Sequence, residues 1–538
     1  MPPVDRVMSS RMIEKFKIYG LSLSGDGARA TLAHLGNVED PEQALEDLLK
    51  ELSNMDLTSN MVKADVVERA IQRLSSASRA TTLTATHASA ADNGLTICDA
   101  FKTKRYAYDI QRRMFDEVHA VAKIESVAEA KIDLYRDRFL LLEQRLSRVA
   151  AFRGKIASIQ SLLGVSTETK FIMGCLSQLE DDRFYLEDLT GTVRVDLTAC
   201  ETDVGLFTEN CIVIAEGQVR PDGVFEVIAL LFPPSESSKQ TRDATNALDF
   251  FGAGQVVRPT DIPELEAKEQ ERIGEQFVVF ADVWLDQQRT FDRLEKIFGE
   301  YDSQEEVPGL MVFMGDFTST PFGPAHYDFS GYAAGFDKLA ELLEDYPRLR
   351  QESRFVFIPG PGDPGLSAAL PRPGLQPSVT GSMLAKVPNA HFASNPAKIR
   401  YFSQDLVFFR EDLQAKMRRN CKRPPDDSKL PEDTSADCRP LFQHLVSTLV
   451  QQAHLCPLPI TQAPIYWQYD HALWLYPAPT CIFLGDRTER QSVANHTTKY
   501  ESSPYSTTLA NPGCFGGDDG EFLVYAPATG SVSFSAVS

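Results

Sequence analysis

The sequence predicts a multidomain α+β protein with a helical N-terminal part, a small β-barrel and a large α/β domain. Three patterns predict it. Residues 1–75 carry apolar side chains at helical spacing, residues 168–235 contain five short runs of alternating apolar and polar residues, and residues 275–538 contain continuous apolar runs. A chain of 538 residues is long enough for several domains of ordinary size.

The predicted α/β domain is built on three apolar runs that each lead to an aspartate. The runs and their aspartates are 277–280 with Asp282, 310–314 with Asp316, and 355–358 with Asp363. Apolar runs bounded by Gly and Pro indicate strands buried on both faces, and helical spacing between them predicts a βαβαβ unit of a largely parallel sheet. Sites in such sheets form at the carboxyl ends of the strands, so the aspartates are candidate site residues.

The order of these segments resembles the calcineurin-like metallophosphoesterase family. Members of that family hold two metal ions with D-x-H, G-D-x-x-D, G-N-H-[DE] and G-H-x-H segments. In the present chain Trp284 replaces the first histidine, Ser319 replaces the second aspartate, and Pro361 and Gly362 replace the Asn-His pair. In the last segment both histidines are missing and Asp486 follows the glycine.

The surviving side chains are too few for a two-metal centre. Two ions about 3.5–4 Å apart need bridging and terminal ligands, and neither proline nor glycine offers a side-chain donor. The resemblance therefore implies an inactive phosphoesterase domain with no catalytic residue, cofactor or metal. Two alternatives stay open: Asp282 and Asp316 hold one weak ion, or each binds loop amides or caps a helix. The vestigial positions are Asp282, Trp284, Asp316, Ser319, Pro361, Gly362, Asp363 and Asp486.

The amino-acid composition indicates which classes of partner the protein can have. Lys and Arg number 54 against 75 Asp and Glu, a net charge of −21, which disfavours sequence-independent binding to a phosphate backbone. The nine cysteines form no C-x-x-C motif, and this favours reduced thiols in an intracellular protein. Neither a signal peptide nor an apolar run of about 18 residues is seen, so no membrane partner is expected.

The segments before the barrel are predicted to be helical, apart from one linker. Residues 1–75 are expected to form a helical bundle, in which Asp40 caps a helix. Residues 76–104, rich in Ser, Thr and Ala, are expected to be a linker, and residues 105–167 a helical connector. Apolar residues from Ile132 to Val149 at steps of three and four suit a coiled-coil seam, but we favour a helix packed within its own chain.

The five runs of residues 168–235 suit an OB fold, followed by a connecting segment over residues 236–274. One hypothesis for an OB fold is that it binds single-stranded DNA, with the bases stacked on the rings of Phe184 and Tyr185. Carboxylates crowd the same hairpin, so docking of a protein is favoured. They are Glu180, Asp181, Asp182, Glu187 and Asp188.

The chain combines a phosphoesterase-like order of segments with the loss of most metal ligands. In this it resembles the B-subunits of the replicative DNA polymerases, and among them the B-subunit family of DNA polymerase epsilon. The segments that carry this resemblance are 251–252, 282–286, 355–361, 370–373, 409–413, 464–470 and 511–513. In the segment 409–413, Arg410 is expected to pair with Glu411 or Asp412 as a structural ion pair. The fold class is then an N-terminal helical bundle, an OB β-barrel and an inactive calcineurin-like phosphoesterase domain.

The resemblance implies a non-catalytic accessory subunit in the nucleus. It would dock on the C-terminal region of the catalytic subunit of DNA polymerase epsilon, and residues 1–75 would link the polymerase to the replicative helicase through GINS. DNA would be contacted only indirectly or weakly. The alternatives are a metal-dependent phosphoesterase or exonuclease, the B-subunit of another replicative polymerase, and a single-stranded DNA-binding module.

Overall fold

The computed structural model describes residues 94–538 apart from seven short gaps, together with scattered positions before residue 94. The gaps are 163–167, 246–247, 255, 324–326, 366, 431–437 and 494–506, and the earlier positions are 15–16, 22–26, 28, 31, 45, 48, 61–62 and 67. The chain divides into two compact units, Met1–Gly94 and Leu95–Ser538.

In the first unit, strands β1 (Ser22–Leu23) and β2 (Met61–Val62) pair in parallel. The predicted helical bundle of residues 1–75 lies largely outside the described residues, as does the predicted linker up to residue 93.

The second unit opens with β-structure and then one long helix. Strand β3 (Leu95–Cys98) joins a sheet of the α/β domain, and β4 (Tyr106–Asp109) and β5 (Met114–Glu117) form an antiparallel hairpin. Helix α1 (Ala128–Leu146) follows. Along α1, Phe139 and Leu142 are buried whereas Ile132 is 66% exposed, so the apolar face of α1 packs within the chain.

The predictions for residues 76–104 and 105–167 are wrong in part. The linker cannot extend to residue 104, because β3 buries Leu95 and Cys98. Among the described residues of the connector, the helical parts are α1 and a short 3₁₀ turn, Ile159–Leu162. The β4–β5 hairpin was not predicted from the sequence because its turn contains neither glycine nor proline. The turn is stabilised by the Asp109 side chain, which accepts hydrogen bonds from two amides of the turn.

The OB-like barrel predicted for residues 168–235 is present. Its strands are β6 (Ile156–Ala157), β7 (Lys170–Glu180), β8 (Arg183–Glu187), β9 (Thr192–Asp196), β10 (Glu201–Thr202), β11 (Ile212–Val219) and β12 (Phe225–Leu231). Their order is β10-β12-β11-β7-β8-β9, and pairing of β12 with β9 closes the barrel. All five predicted strands are confirmed, and their inward side chains form one apolar core.

Two helices lie in the connecting segment of residues 236–274. They are α2 (Ser238–Ala244) and α3 (Ile262–Gln270). Helix α2 begins with a capping box, in which the Ser237 hydroxyl accepts from the Gln240 amide and the Gln240 side chain accepts from the Ser237 amide.

The first sheet of the α/β domain contains the predicted βαβαβ unit. Its parallel part and its helices are β13 (Phe277–Ala281), α4 (Gln288–Ser303), β14 (Leu310–Met314), α5 (Phe329–Glu344), α6 (Pro347–Glu352), β15 (Arg354–Ile358), α7 (Met383–Lys386) and β16 (Ala390–Phe392). Strands β13 to β16 are mutually parallel, as the buried apolar runs predict.

The second sheet is built largely from the following residues. Its elements in chain order, with the two strands that return to the first sheet, are β17 (Ala397–Tyr401), β18 (Gln404–Arg410), α8 (Leu413–Asn420), α9 (Pro440–Gln452), β19 (Cys481–Gly485), β20 (Gln491–Val493), β21 (Thr508–Asn511), β22 (Glu521–Ala526) and β23 (Ser531–Ala536). The sheet orders are β16-β15-β14-β13-β22-β23 and β20-β21-β19-β18-β17-β3.

The two sheets pack face to face and each is covered by helices. One apolar core lies between the sheets, a second lies under α4 and α5, and a third lies under α8 and α9. The carboxyl ends of β13 and β14 therefore lie close to those of β18 and β19, and the candidate site is at this edge. None of the helices among the described residues is both long and apolar enough to cross a lipid bilayer.

The barrel is fixed to the α/β domain by polar side chains of α9. The Gln452 amide pairs with both backbone groups of Ile212, at 2.9 and 2.7 Å. His444 Nδ1 accepts from the Gly205 amide, and Thr448 Oγ1 accepts from the Leu206 amide. Buried backbone groups of the barrel thus obtain their partners from the α/β domain, and the two act as one body.

Candidate functional site

Two buried aspartates meet where β13 and β14 end. Asp282 is 0% and Asp316 is 1% exposed, and the Asp316 amide donates to Asp282 Oδ1 at 3.3 Å. The Asp282 backbone lies in the left-handed region, with φ at 55°. Strain of this kind is common at functional sites. The structure therefore brings together two of the predicted site residues.

A fully buried guanidinium lies against these carboxylates. Arg410, the last residue of β18, donates from Nη2 to Asp282 Oδ1 at 2.9 Å, and Nη2 lies 3.7 Å from Asp316 Oδ2. Its Nη1 donates to Asp412 Oδ1 at 2.9 Å. Its Nε and the second N–H of Nη1 donate to two backbone carbonyls, of Gly315 at 2.5 Å and Gly485 at 2.8 Å. Every nitrogen of this buried cation is hydrogen-bonded.

A second guanidinium binds the same pair from the open side. Arg487 lies two residues beyond the end of β19 and is 36% exposed. Its Nε donates to Asp282 Oδ1 at 3.1 Å and its Nη2 to Asp316 Oδ2 at 2.6 Å. The two arginines therefore supply two positive charges to two carboxylates that share one small site.

The charge state of the arginine core follows from these contacts. Burial acts to lower the pKa of Arg410, but the carboxylates of Asp282, Asp316 and Asp412 raise it well above its ordinary value. Arg410 is therefore charged at every pH at which the protein is folded. Here we call Arg410, Arg487, Asp282 and Asp316 the arginine core.

The third aspartate, Asp363, is held by its own hydrogen bonds. Its Oδ1 accepts from the Phe317 amide at 2.8 Å and the Tyr332 hydroxyl at 3.1 Å, and its Oδ2 accepts from the Gly360 amide at 2.7 Å. Burial and the neighbouring Asp316 raise the pKa of Asp363 to about 7. Asp363 is thus a loop-binding carboxyl beside the arginine core.

Two other predicted site positions, Ser319 and Asp486, bind elsewhere. Ser319 turns to Asp286, whose carboxylate accepts from both its amide and its hydroxyl. Asp486 accepts from the Gln414 amide at 2.8 Å, in the first turn of α8, and burial raises its pKa to about 6. None of these hydrogen bonds of Ser319 and Asp486 reaches the arginine core.

The predicted site positions Gly362, Pro361 and Trp284 carry backbone and ring contacts. The Gly362 amide donates to Asp316 Oδ1 at 2.8 Å, and Pro361 precedes it in the same loop. Trp284 packs against Gly516 and under Arg289, whose guanidinium carbon lies 5.8 Å from its ring centroid. A cleft of about 630 Å³ opens beside Trp284 and Arg487. Among the described residues, no group of three His, Cys, Asp or Glu side chains could hold a metal ion.

Sequence reasoning missed Arg410 and Arg487 as site residues. The expected pair of Arg410 with Asp412 is present, but Glu411 pairs with Arg372 and Lys416 instead. The available signal was position: both arginines lie at the carboxyl ends of parallel neighbouring strands, β18 and β19, as the aspartates do in β13 and β14. Asp316 also accepts a hydrogen bond from a loop amide, that of Gly362, as one of the two alternatives from the sequence predicted.

The Asp363 carboxyl predicts a pH dependence of stability. A carboxyl with a raised pKa binds more protons in the folded chain than in the unfolded one, so its contribution to stability grows as the pH falls from about 7. Asp363→Asn does not titrate. Between pH 7 and pH 6, wild type should therefore gain about 1 kcal/mol relative to this variant. Thermal unfolding of both proteins at both pH values measures it, and an unchanged difference would contradict the assignment.

Two family models match the chain. The model of the DNA polymerase alpha/epsilon B-subunit matches residues 277–494, which include all four members of the arginine core. The model "DNA polymerase epsilon subunit 2-like, OB-fold domain" matches residues 128–234, from α1 to the end of the barrel.

Curated relatives match almost the whole chain. The DNA polymerase epsilon B-subunit of Arabidopsis thaliana is 38% identical, over 97% of this chain and 98% of its own length. DNA polymerase epsilon subunit 2 of Homo sapiens is 32% identical, over 98% of both chains. The DNA polymerase epsilon B-subunit of Schizosaccharomyces pombe is 32% identical over 72% of this chain and 69% of its own. The resemblance inferred from the sequence is thereby confirmed: the chain belongs to the B-subunit family of DNA polymerase epsilon, whose place is in DNA replication.

Proposed function

We propose that this chain is a non-catalytic accessory subunit of nuclear DNA polymerase epsilon. It docks on the C-terminal region of the catalytic subunit and, through residues 1–75, links the polymerase to the replicative helicase by way of GINS. One observation carries the non-catalytic part of the proposal. At the two carboxylates of Asp282 and Asp316, where a phosphoesterase would hold metal ions, two arginine side chains supply the positive charge.

The chemistry of the arginine core supports this role. A metal ion acts as a Lewis acid and lowers the pKa of a bound water, whereas a guanidinium offers only N–H donors and accepts no water lone pair. Four of the five Arg410 N–H groups are hydrogen-bonded, and the side chain is 0% exposed, so a substrate phosphate cannot reach it. The core therefore stabilises the fold and does not activate a nucleophile.

The charge and the barrel support docking on protein. The chain carries −21, and the β7–β8 hairpin exposes the carboxylates of Glu180, Asp181 and Asp182, which repel a nucleic acid backbone. The barrel is also hydrogen-bonded to α9 through Ile212 and Gln452, so the barrel and the α/β domain would meet a partner together.

Cross-linking of the full chain in nuclear extract tests the proposal. We expect capture of the catalytic subunit with cross-links from residues 95–538, and capture of GINS with cross-links from residues 1–75. A matched bait with its cross-linkable amines blocked controls for carry-over. Recovery of neither partner would contradict the proposed function.

A further inference from the structure

Strand β23 has a partner on one side only, among the residues that the structure describes. It is the outer strand of the first sheet and pairs antiparallel with β22 along its whole length, from Ser531 to Ala536. An outer strand presents unpaired backbone N–H and C=O groups that can pair with another chain.

The register identifies the unpaired groups. The Val537 amide donates to the directly opposite Gly520 carbonyl at 3.1 Å. Hydrogen-bonded and non-hydrogen-bonded pairs alternate along an antiparallel ladder. The serines of the strand therefore bond to β22, and the outward-pointing backbone groups belong to Val532, Phe534 and Ala536.

Strand β23 lacks the features that usually protect an edge. Natural edges are short, or carry charged residues or proline. Residues 531–538 contain no charged residue and no proline. The outer strands β16 and β20 have three residues each, whereas β23 has six. This is the pattern of an edge that receives a partner strand.

The side chains beside the edge specify what would bind. Val532 and Phe534 are half-buried at the margin of the core between the two sheets, where Phe402 also packs, and Ser531 and Ser533 are exposed on the other face. An added strand would place alternate side chains over this apolar margin and the others in water. It needs apolar residues at every second position.

We propose that β23 is the docking edge for an extended segment of a partner polypeptide, which adds to the first sheet as a seventh strand. The partner segment has alternating apolar residues and a Lys or Arg at the end that lies beside Ser531. This proposal rests on the proposed function, because it assigns one docking surface of the accessory subunit.

Charge complementarity selects this occupant. A second copy of the chain would bring together two molecules of −21 each. At the Ser531 end, α3 contacts the β22–β23 turn, since Gln270 Nε2 donates to the Ala528 carbonyl at 2.7 Å. Glu266, one turn before Gln270 in α3, is exposed and attracts a basic residue, whereas Glu264 is already paired with Lys268 at 2.8 Å. A basic partner segment fits this edge better than a second copy.

Ala536→Pro tests the docking edge. The Ala536 N–H points outward, so proline leaves the ladder to β22 intact while it removes a donor and places its ring where a partner strand would lie. The control is Ala536→Val, which keeps the N–H. The full chain is titrated with the catalytic subunit of DNA polymerase epsilon. We expect Ala536→Pro to weaken binding by at least about tenfold and Ala536→Val to leave it unchanged.

Hydrogen exchange supplies the second readout. The amides of Val532, Phe534 and Ala536 should exchange fast in the free chain and slowly in the complex. Slow exchange in the free chain would overturn the proposal, because the edge would already be covered. A dimer of the chain alone that Ala536→Pro abolishes would overturn it in favour of a second copy. Equal affinity of both variants overturns the docking edge alone, whereas no complex even with wild type overturns the proposed function as well.

Discussion

Arg410→Met is expected to destabilise the unit of residues 95–538 by about 3–5 kcal/mol. The substitution leaves Asp282 and Asp316 buried with only the half-exposed Arg487 to neutralise them, and it removes the donors of the Gly315 and Gly485 carbonyls. The loss of a countercharge beside a buried carboxylate lowers the free energy of unfolding far more than the loss of the apolar contacts of the arginine side chain does. Chemical unfolding followed by intrinsic fluorescence measures the loss.

Two further variants keep this prediction specific. Arg418→Met, on the exposed face of α8, removes the same charge and should change stability by no more than about 0.5 kcal/mol. In the double variant with Asp282→Asn, the loss should be smaller than the sum of the single losses, because the two side chains are in direct contact. Additive losses would contradict the ion pair.

Arg138→Met is expected to cost a similar amount, about 3–5 kcal/mol. Arg138 of α1 is 7% exposed and forms a forked pair with the buried Asp470, at 3.0 and 2.5 Å. Asp470 also accepts from Trp474 Nε1 at 3.1 Å and lies 3.2 Å from His454 Nε2. This ion pair joins α1 to the α/β domain, so the substitution weakens the attachment of α1 to that domain.

The loss in Arg138→Met should depend on pH. In wild type, burial and the Arg138 charge lower the pKa of His454 to about 4. Without Arg138, burial still lowers the pKa of His454, but the lowering is smaller because the Asp470 carboxylate remains and the Arg138 charge is gone. A His454 whose folded pKa lies below its unfolded value costs stability as the pH falls through the unfolded pKa, and this cost is smaller in the variant than in wild type. The defect should therefore be smaller at pH 5.5 than at pH 7.5. Arg136→Met, exposed on the same helix, is the control and should be near neutral at both pH values.

Much of the fold could be predicted because local patterns determine it. Buried apolar runs identified β13, β14 and β15, and alternation identified the five strands of the barrel. Strand β3 could not be predicted in the same way. Its four residues are stabilised by pairing with β17, about 300 residues away, and no local signal marks such a partner.

In the candidate site too, contacts between residues distant in sequence could not be predicted. The positions of Asp282 and Asp316 follow from the strands that carry them. The arginine core required knowledge of how two sheets pack, because Arg410 meets Asp282 across 128 residues of sequence. The sequence predicted a pair of Arg410 with Glu411 or Asp412, and the Asp412 pair is present, but this local prediction did not reach Asp282.

Calorimetric titration with Mn²⁺ decides whether guanidinium groups or metal ions are the partners of Asp282 and Asp316. We expect no heat of binding in wild type at neutral pH, and none in the variant with both Asp282→Ala and Asp316→Ala. Binding of two ions by wild type that is lost in the double variant would show the opposite, because the carboxylates would then prefer metal to the two arginines.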